Sequence, residues 1–86
     1  METIKSISLF FKEGNSDKEY NVQIVKSTDG FSVNFQYGRV GNTLIAGTKT
    51  PVPVLEVNAS VIFNKLVKEK MVKGYKEKEG SDEKKK

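Results

Sequence analysis

The residues of this 86-residue chain that are best suited to hold a ligand stand together at positions 37–39. Tyr37 offers a flat aromatic face, Gly38 leaves the backbone without a side chain, and Arg39 carries a guanidinium that binds phosphates or carboxylates through paired hydrogen bonds. The same residues also fit a plain hairpin, in which the ring is half-buried in a strand and the guanidinium is solvated in a turn. The residues alone leave both interpretations open.

Other kinds of chemistry have little support in the composition. The chain has no Cys and no His, so disulfides, thiolate metal clusters and histidine bases are excluded. The glycine-containing turn "GRVG" lacks the Lys-Ser/Thr pair of a phosphate-binding loop, and no two carboxylates have a spacing suited to general acid and base work. We therefore expect no catalytic residues, no metal site and no cofactor, and a protein that is not an enzyme.

The net charge of +4 is unevenly placed along the chain. Residues 1–48 contain five basic and five acidic residues, whereas residues 49–75 contain five lysines and two glutamates. The basic excess of the second half is suited to attracting DNA, an acidic protein or an anionic membrane surface. A solvated helix face is the ordinary alternative, and a membrane role is disfavoured because the apolar residues are needed for the core.

Four segments have the alternation of apolar and polar residues that is typical of half-buried strands. The first spans residues 3–11, and the second and third are residues 20–26 and 31–37, which an Asp-Gly turn joins. A loop rich in Gly, Asn and Ser is predicted at residues 12–19, between the first two strands. A fourth, weaker strand within residues 42–50 is expected at the edge of the sheet.

A helix is predicted after the segment "PVPV", whose prolines end the sheet. The helix is expected from about residue 55 to residue 72, with Gly74 as its C-terminal cap and Asn58 as an alternative start. Its apolar residues recur at three- and four-residue steps and form one stripe: Ala59, Ile62, Phe63, Leu66 and Val67. Lys70 falls on this stripe, and we expect its stem to pack there while its ammonium reaches the helix C-terminal carbonyls or the domain edge.

These elements predict an α+β fold, a small antiparallel β-sheet meander of about four strands with one amphipathic helix packed across one face. The domain is expected to span residues 1–75, and residues 76–86, which have no apolar side chain, are expected to form a disordered charged tail. No segment has the pattern of a membrane span or a signal peptide, so a cytoplasmic location is expected. A monomer is favoured, with pairing of two copies through the fourth strand as the alternative.

The chain resembles the WGR domain, a small module found in poly(ADP-ribose) polymerases and in bacterial proteins. The segments "YNVQIV", "VNFQYGRVG", "GTKT" and "ASVIFNKLVKEKMVKGY" carry the resemblance in this order, and it covers roughly residues 3–75. The family is named after a Trp-Gly-Arg signature, and Tyr37 replaces the tryptophan here. The resemblance implies the fold predicted above and a noncatalytic binding module.

For single residues, the resemblance implies contacts at the Tyr-Gly-Arg hairpin. In the polymerases the domain binds DNA near a strand break, and the signature tryptophan packs against the terminal nucleotide. By similarity, Tyr37 would pack on a sugar or base, beside Gly38, and Arg39 would meet a phosphate or a partner domain. The family also places nucleic-acid contacts in the loop that here contains Asn15 and Lys18.

The sequence leads to two functional hypotheses. The first is a module that binds DNA, at ends or single-stranded stretches, through the hairpin and nearby lysines. Lys49 follows the fourth strand, where it fits either a phosphate contact or the blocking of an edge strand. The alternative is a protein-protein interaction or regulatory module that docks through the same hairpin and the open sheet face. DNA binding would weaken steeply with salt, whereas a protein interface anchored by Tyr37 and Arg39 would not.

Overall fold

The computed structural model describes residues 2–77, which form one five-stranded antiparallel sheet and one helix. The elements follow the chain as β1 (Glu2–Glu13), β2 (Ser16–Ser27), β3 (Gly30–Arg39), β4 (Ile45–Thr48), α1 (Glu56–Val72) and β5 (Lys76–Glu77). The strand order across the sheet is β4-β3-β2-β1-β5, and all neighbouring strands are antiparallel. The predicted α+β fold is confirmed, and β4 lies at an edge of the sheet as expected.

The β1–β2 hairpin is longer than the sequence predicts, and the loop expected over residues 12–19 is wrong. β1 continues to Glu13 and β2 begins at Ser16, so that only Gly14 and Asn15 remain as the turn. Gly14 has a φ of +59°, the left-handed conformation that such a turn requires. These strand ends carry polar side chains, so the sequence there has no apolar alternation that would predict a strand. Backbone hydrogen bonds pair the strands whether or not a face is buried.

A fifth strand lies where the charged tail was expected to begin. Lys76 pairs with Phe10 and Glu77 pairs with Leu9, on the outer side of β1. Lys76 and Glu77 are therefore part of the sheet, because pairing with β1 orders a backbone segment whose side chains give no apolar signal. The rest of the predicted tail, residues 78–86, lies outside the described residues.

The core lies between α1 and the face of the sheet that α1 covers. Its buried residues come from the three central strands and the helix: Leu9, Tyr20, Val22, Ile24, Val33, Ala59, Phe63 and Leu66. Ile62 and Val67 pack against this cluster while remaining partly exposed. The whole stripe predicted for the helix therefore faces the sheet, as its spacing implies.

The ends of α1 agree with the predicted helix to within one residue. The N-cap is Leu55, which makes no capping hydrogen bond through its side chain, so the alternative start at Asn58 is wrong. The C-cap is Lys73, and Gly74 follows it with a φ of +111°, the left-handed conformation common after a helix. A β-carbon at Gly74 would lie 2.9 Å from Cε1 of Phe11, so this glycine also lets the helix end approach β1.

The face of the sheet opposite α1 is open and polar. Its side chains alternate with the core residues along the three central strands: Ser6, Ser8, Asn21, Gln23, Asn34 and Gln36. Asn21 lies opposite Gln36, and its Nδ2 donates a hydrogen bond to Oε2 of Glu19 at 2.9 Å. The centre of this face therefore presents amides and hydroxyls, while Phe10 and Val25 take the next outward positions of β1 and β2.

Thr50 is a buried polar residue whose removal should destabilise the sheet. It is 6% exposed, and its Oγ1 accepts a hydrogen bond from the backbone N–H of Val33 at 2.9 Å. Replacing Thr50 with valine leaves this N–H buried without a partner, so we expect the free energy of unfolding to fall by about 1–3 kcal/mol. Urea unfolding followed by circular dichroism measures the change. The exposed Thr43→Val control should change it by less than about 0.5 kcal/mol, and equal effects would contradict the prediction.

Candidate nucleic-acid interface

One end of the sheet brings two connections side by side, the β1–β2 turn at residues 14–15 and the β3–β4 connection at residues 40–44. Between them Lys18, near the start of β2, pairs with Arg39 at the end of β3. A groove of about 340 Å³, called the tip groove below, opens at this end. It is lined by Ser16, Asp17, Lys18, Tyr37, Gly38, Arg39 and Tyr75. The structure thus brings together most of the residues predicted for the site.

Tyr37 rests on other aromatic rings while part of its own ring stays open to the groove. Its ring centroid lies 5.8 Å from that of Tyr20, with an angle of 18° between the ring planes, and 6.0 Å from that of Phe35. Tyr20 is buried, whereas Tyr37 is 38% exposed. The neighbouring rings restrict the rotamers of Tyr37, so that its free surface is already oriented for packing against a base or a sugar.

Arg39 joins the two connections at this end of the sheet. Its Nη2 donates a hydrogen bond to the backbone carbonyl of Asn15 at 3.2 Å. Asn15 therefore orients the guanidinium through its main chain, and the remaining guanidinium N–H groups stay available for a ligand. A β-carbon at Gly38 would lie 3.2 Å from Cδ2 of Leu44, so glycine lets the β3–β4 connection pack closely against β3.

Lys18 and Arg39 are like charges placed directly opposite each other on neighbouring strands. Such a pair is unfavourable by itself, because directly opposed Cβ atoms lie only about 4.5–5.5 Å apart. Asp17 is the one carboxylate that lines the groove, and within residues 2–77 neither cation is ion-paired. The charges at the tip groove therefore favour an anionic ligand.

Lys49 lies away from the tip groove. Its Nζ is 5.7 Å from the ring centroid of Phe35, and it borders a separate groove next to α1. The other residues of that groove are Ile62, Lys65, Leu66 and Glu69. The sequence did not show this separation, because the register of β3 with β4, in which Asn34 pairs with Thr48, decides where the residue after β4 falls.

Tyr75 and Lys70 lie near the site, although the sequence analysis did not assign them to it. Tyr75 lines the tip groove, and its ring centroid lies 5.5 Å from that of Phe11 and 6.1 Å from that of Tyr20. Lys70, whose ammonium was expected at the helix carbonyls or the domain edge, places its Nζ 4.6 Å from the ring centroid of Tyr20 in a cation–π contact. The position of Tyr75 directly after Gly74 could have indicated this location, because the chain leaves the helix there and turns back to the sheet.

Tyr20 should make the stability of the domain sensitive to alkaline pH. Burial raises the pKa of its hydroxyl above the usual 10.0, and the charges of Glu69, Tyr37 and Tyr75 raise it further. Above that usual value the unfolded chain releases the proton more readily than the folded domain, so stability is lost as pH rises toward the higher folded pKa. We expect Tyr20→Phe to lose less stability than the wild type between about pH 8 and about pH 11 in urea unfolding. Equal losses in both proteins would contradict this linkage.

The described residues offer no site for a metal ion and no membrane-spanning helix. Within residues 2–77 the carboxylates do not gather into a group of three or more that could hold a metal ion. In the same part of the chain, α1 is too short and too polar to cross a bilayer. The tip groove brings a ring, a guanidinium and an ammonium together on one surface.

Comparison with known families supports the resemblance seen in the sequence. The family model of the WGR domain matches residues 6–82, most of the chain. The chain belongs to the WGR domain family. No curated protein and no solved structure matches it significantly. WGR domains are in general noncatalytic modules that bind nucleic acid and are associated with poly(ADP-ribose) polymerases. The triplet that resembles the family signature, Tyr37-Gly38-Arg39, lines the tip groove.

Proposed function

We propose that this WGR domain is a noncatalytic module that binds DNA through its tip groove. The observation that carries the proposal is the opposed pair of Lys18 and Arg39 beside the exposed ring of Tyr37. Two cations that have no ion-pair partner among residues 2–77 attract an anion, and an open ring face attracts a base or a sugar. A nucleotide supplies both groups within one unit, which a carboxylate ligand does not.

Each residue of the groove has a distinct role in this proposal. Tyr37 packs on a base or sugar, while Arg39 and Lys18 contact phosphate oxygens. Gly38 lets the ligand and the β3–β4 connection come close to the backbone, and Asn15 holds the guanidinium through its carbonyl. Lys49 borders another groove, so its contact with phosphate stays a prediction at the periphery of the site.

Titration with fluorescent single-stranded, blunt-ended and nicked DNA at about 20 mM and about 150 mM salt tests the proposal. Lys18 and Arg39 together contact one or two phosphates, so we expect affinity to fall with salt at a slope of log K of about −0.7 to −1.8. The three DNA forms also show whether the domain prefers ends or single strands. No binding to any of them at the lower salt concentration would refute the proposal.

Restoring the signature tryptophan should strengthen DNA binding. Indole has a larger flat face than phenol, and one stacked base contributes about 1–3 kcal/mol. We expect Tyr37→Trp to raise the affinity for single-stranded DNA by about 2–5-fold. The gain is smaller than the full stacking energy, because the ring of Tyr37 already contributes part of it. The salt slope serves as an internal control and should not change, since the charge is the same. A weaker or unchanged affinity would show that the ring does not stack on the ligand.

A protein-binding role is the second candidate, and the exposed apolar side chains of α1 favour it. Val57 and Val61, one helical turn apart, are 64% and 60% exposed, and Leu55 before them is 70% exposed. The centre of the open sheet face, by contrast, carries polar side chains, which are poor anchors for an interface. Binding to a protein partner with a shallow salt dependence, lost in Val57→Ser with Val61→Ser and retained in an Arg39 variant, would support this candidate.

A further inference from the structure

A second groove lies next to the tip groove, at the C-terminal end of α1. It has a volume of about 330 Å³ and is lined by Phe11, Lys18, Lys70, Lys73 and Tyr75. We call it the lysine groove, because three of these residues are lysines and none is acidic. Lys18 and Tyr75 line both grooves, so the two form one continuous surface.

Two of the three ammonium groups of the lysine groove are oriented by aromatic rings. Nζ of Lys70 lies 4.6 Å from the ring centroid of Tyr20, and Nζ of Lys18 lies 6.0 Å from that of Phe11. A cation–π contact limits the motion of an ammonium without neutralising its charge. Within residues 2–77 none of the three lysines is ion-paired, so the groove keeps a net charge of +3 at its wall.

The helix dipole explains only part of this arrangement. Lysines in and after the last turn of a helix are favoured by the partial negative charge of its carbonyls, which accounts for Lys70 and Lys73. It does not account for Lys18, which comes from β2 and already faces Arg39. Cations from two separate elements converge on one groove, although their mutual repulsion opposes this unless an anion lies between them.

We infer that the lysine groove binds a backbone phosphate of the same nucleic-acid strand that occupies the tip groove. The inference rests on the proposed function. The strand runs from Tyr37 past Tyr75 to the C-terminal end of α1, so that Arg39 and Lys18 hold one phosphate and Lys70 and Lys73 hold another. A lysine ammonium suits a phosphodiester that lies along a groove, because it binds as a point charge without a fixed orientation.

The test compares two single-charge changes on the same helix. Lys73 is exposed and lines the lysine groove, whereas Lys68 is exposed and lines neither groove. We expect K73Q to lower the affinity for a single-stranded oligonucleotide of about 12 nucleotides by about 3–10-fold, and to reduce the salt slope by about 0.7–0.9. K68Q should leave the slope unchanged, and K73R should restore wild-type binding.

The outcomes separate this inference from the proposed function. If a double variant with Tyr37→Ala and Arg39→Ala loses binding while K73Q keeps the wild-type slope, the lysine groove does not contact the strand and the tip groove does. Equal losses in K73Q and K68Q would show diffuse attraction and would overturn the inference. If the wild type binds no nucleic acid, the inference is overturned together with the proposed function.

Discussion

Replacing Phe63 with alanine is expected to lower the free energy of unfolding by about 3–5 kcal/mol. Phe63 is 3% exposed and lies at the centre of the contact between α1 and the sheet, where Nζ of Lys5 lies 4.8 Å from its ring centroid. Truncation removes the buried ring and its cation–π contact and leaves a cavity between the two layers. A domain of this size has about 5–15 kcal/mol of stability in total, so the variant should unfold at much lower urea concentrations.

The control for this prediction is Val61→Ala on the same helix. Val61 is 60% exposed, so its truncation creates no buried cavity, and alanine has a higher helix propensity than valine. We expect a change of less than about 0.5 kcal/mol. Urea unfolding of both variants, followed by circular dichroism, gives the comparison. Similar midpoints for the two variants would contradict the packing of α1 on the sheet described above.

Replacing both Tyr37 and Arg39 with alanine is expected to weaken DNA binding by at least about 50-fold. A stacked base contributes about 1–3 kcal/mol, and a hydrogen bond to a charged group contributes about 1.5–3 kcal/mol. Both side chains are exposed, so the double variant should keep its fold, which circular dichroism checks. Fluorescence anisotropy with labelled single-stranded DNA at about 20 mM salt measures the loss.

Two further variants make this result specific to the tip groove. Lys26→Gln removes a charge near the far end of β2 from Lys18, and it should change the affinity little. Tyr37→Phe keeps the ring and should bind DNA nearly as well as the wild type, because stacking depends on the ring face. A double variant that binds like the wild type would place the DNA elsewhere on the domain.

Much of this fold follows from side-chain periodicity in the sequence. The alternation of Val22, Ile24 and Val33 with polar residues predicted the central strands, and the helical stripe around Phe63 predicted the covered face. The missed parts have no apolar pattern. The strand ends around Lys18 and the short strand β5 are held by backbone pairing with β1 and β3, which is independent of side-chain type.

The candidate site was predictable in part for a related reason. Tyr37, Gly38 and Arg39 are consecutive residues, so their proximity needs no knowledge of the fold. Tyr75 is distant in the chain and reaches the groove only because α1 ends where it does and β5 then returns to β1. Lys49 was assigned to the site because it follows the fourth strand, and the β3–β4 register places it beside α1.

The most direct measurement is the change of backbone amide chemical shifts when single-stranded DNA is added to the isotope-labelled domain. If the tip groove binds the DNA, the shifts should concentrate at residues 16–18 and 37–39 and at Tyr75, and they should decrease as salt is raised. Residues of the open sheet face, such as Gln23 and Asn34, should change little. Shifts that are confined to Val57 and Val61, or that are absent at every residue of the tip groove, would contradict the account.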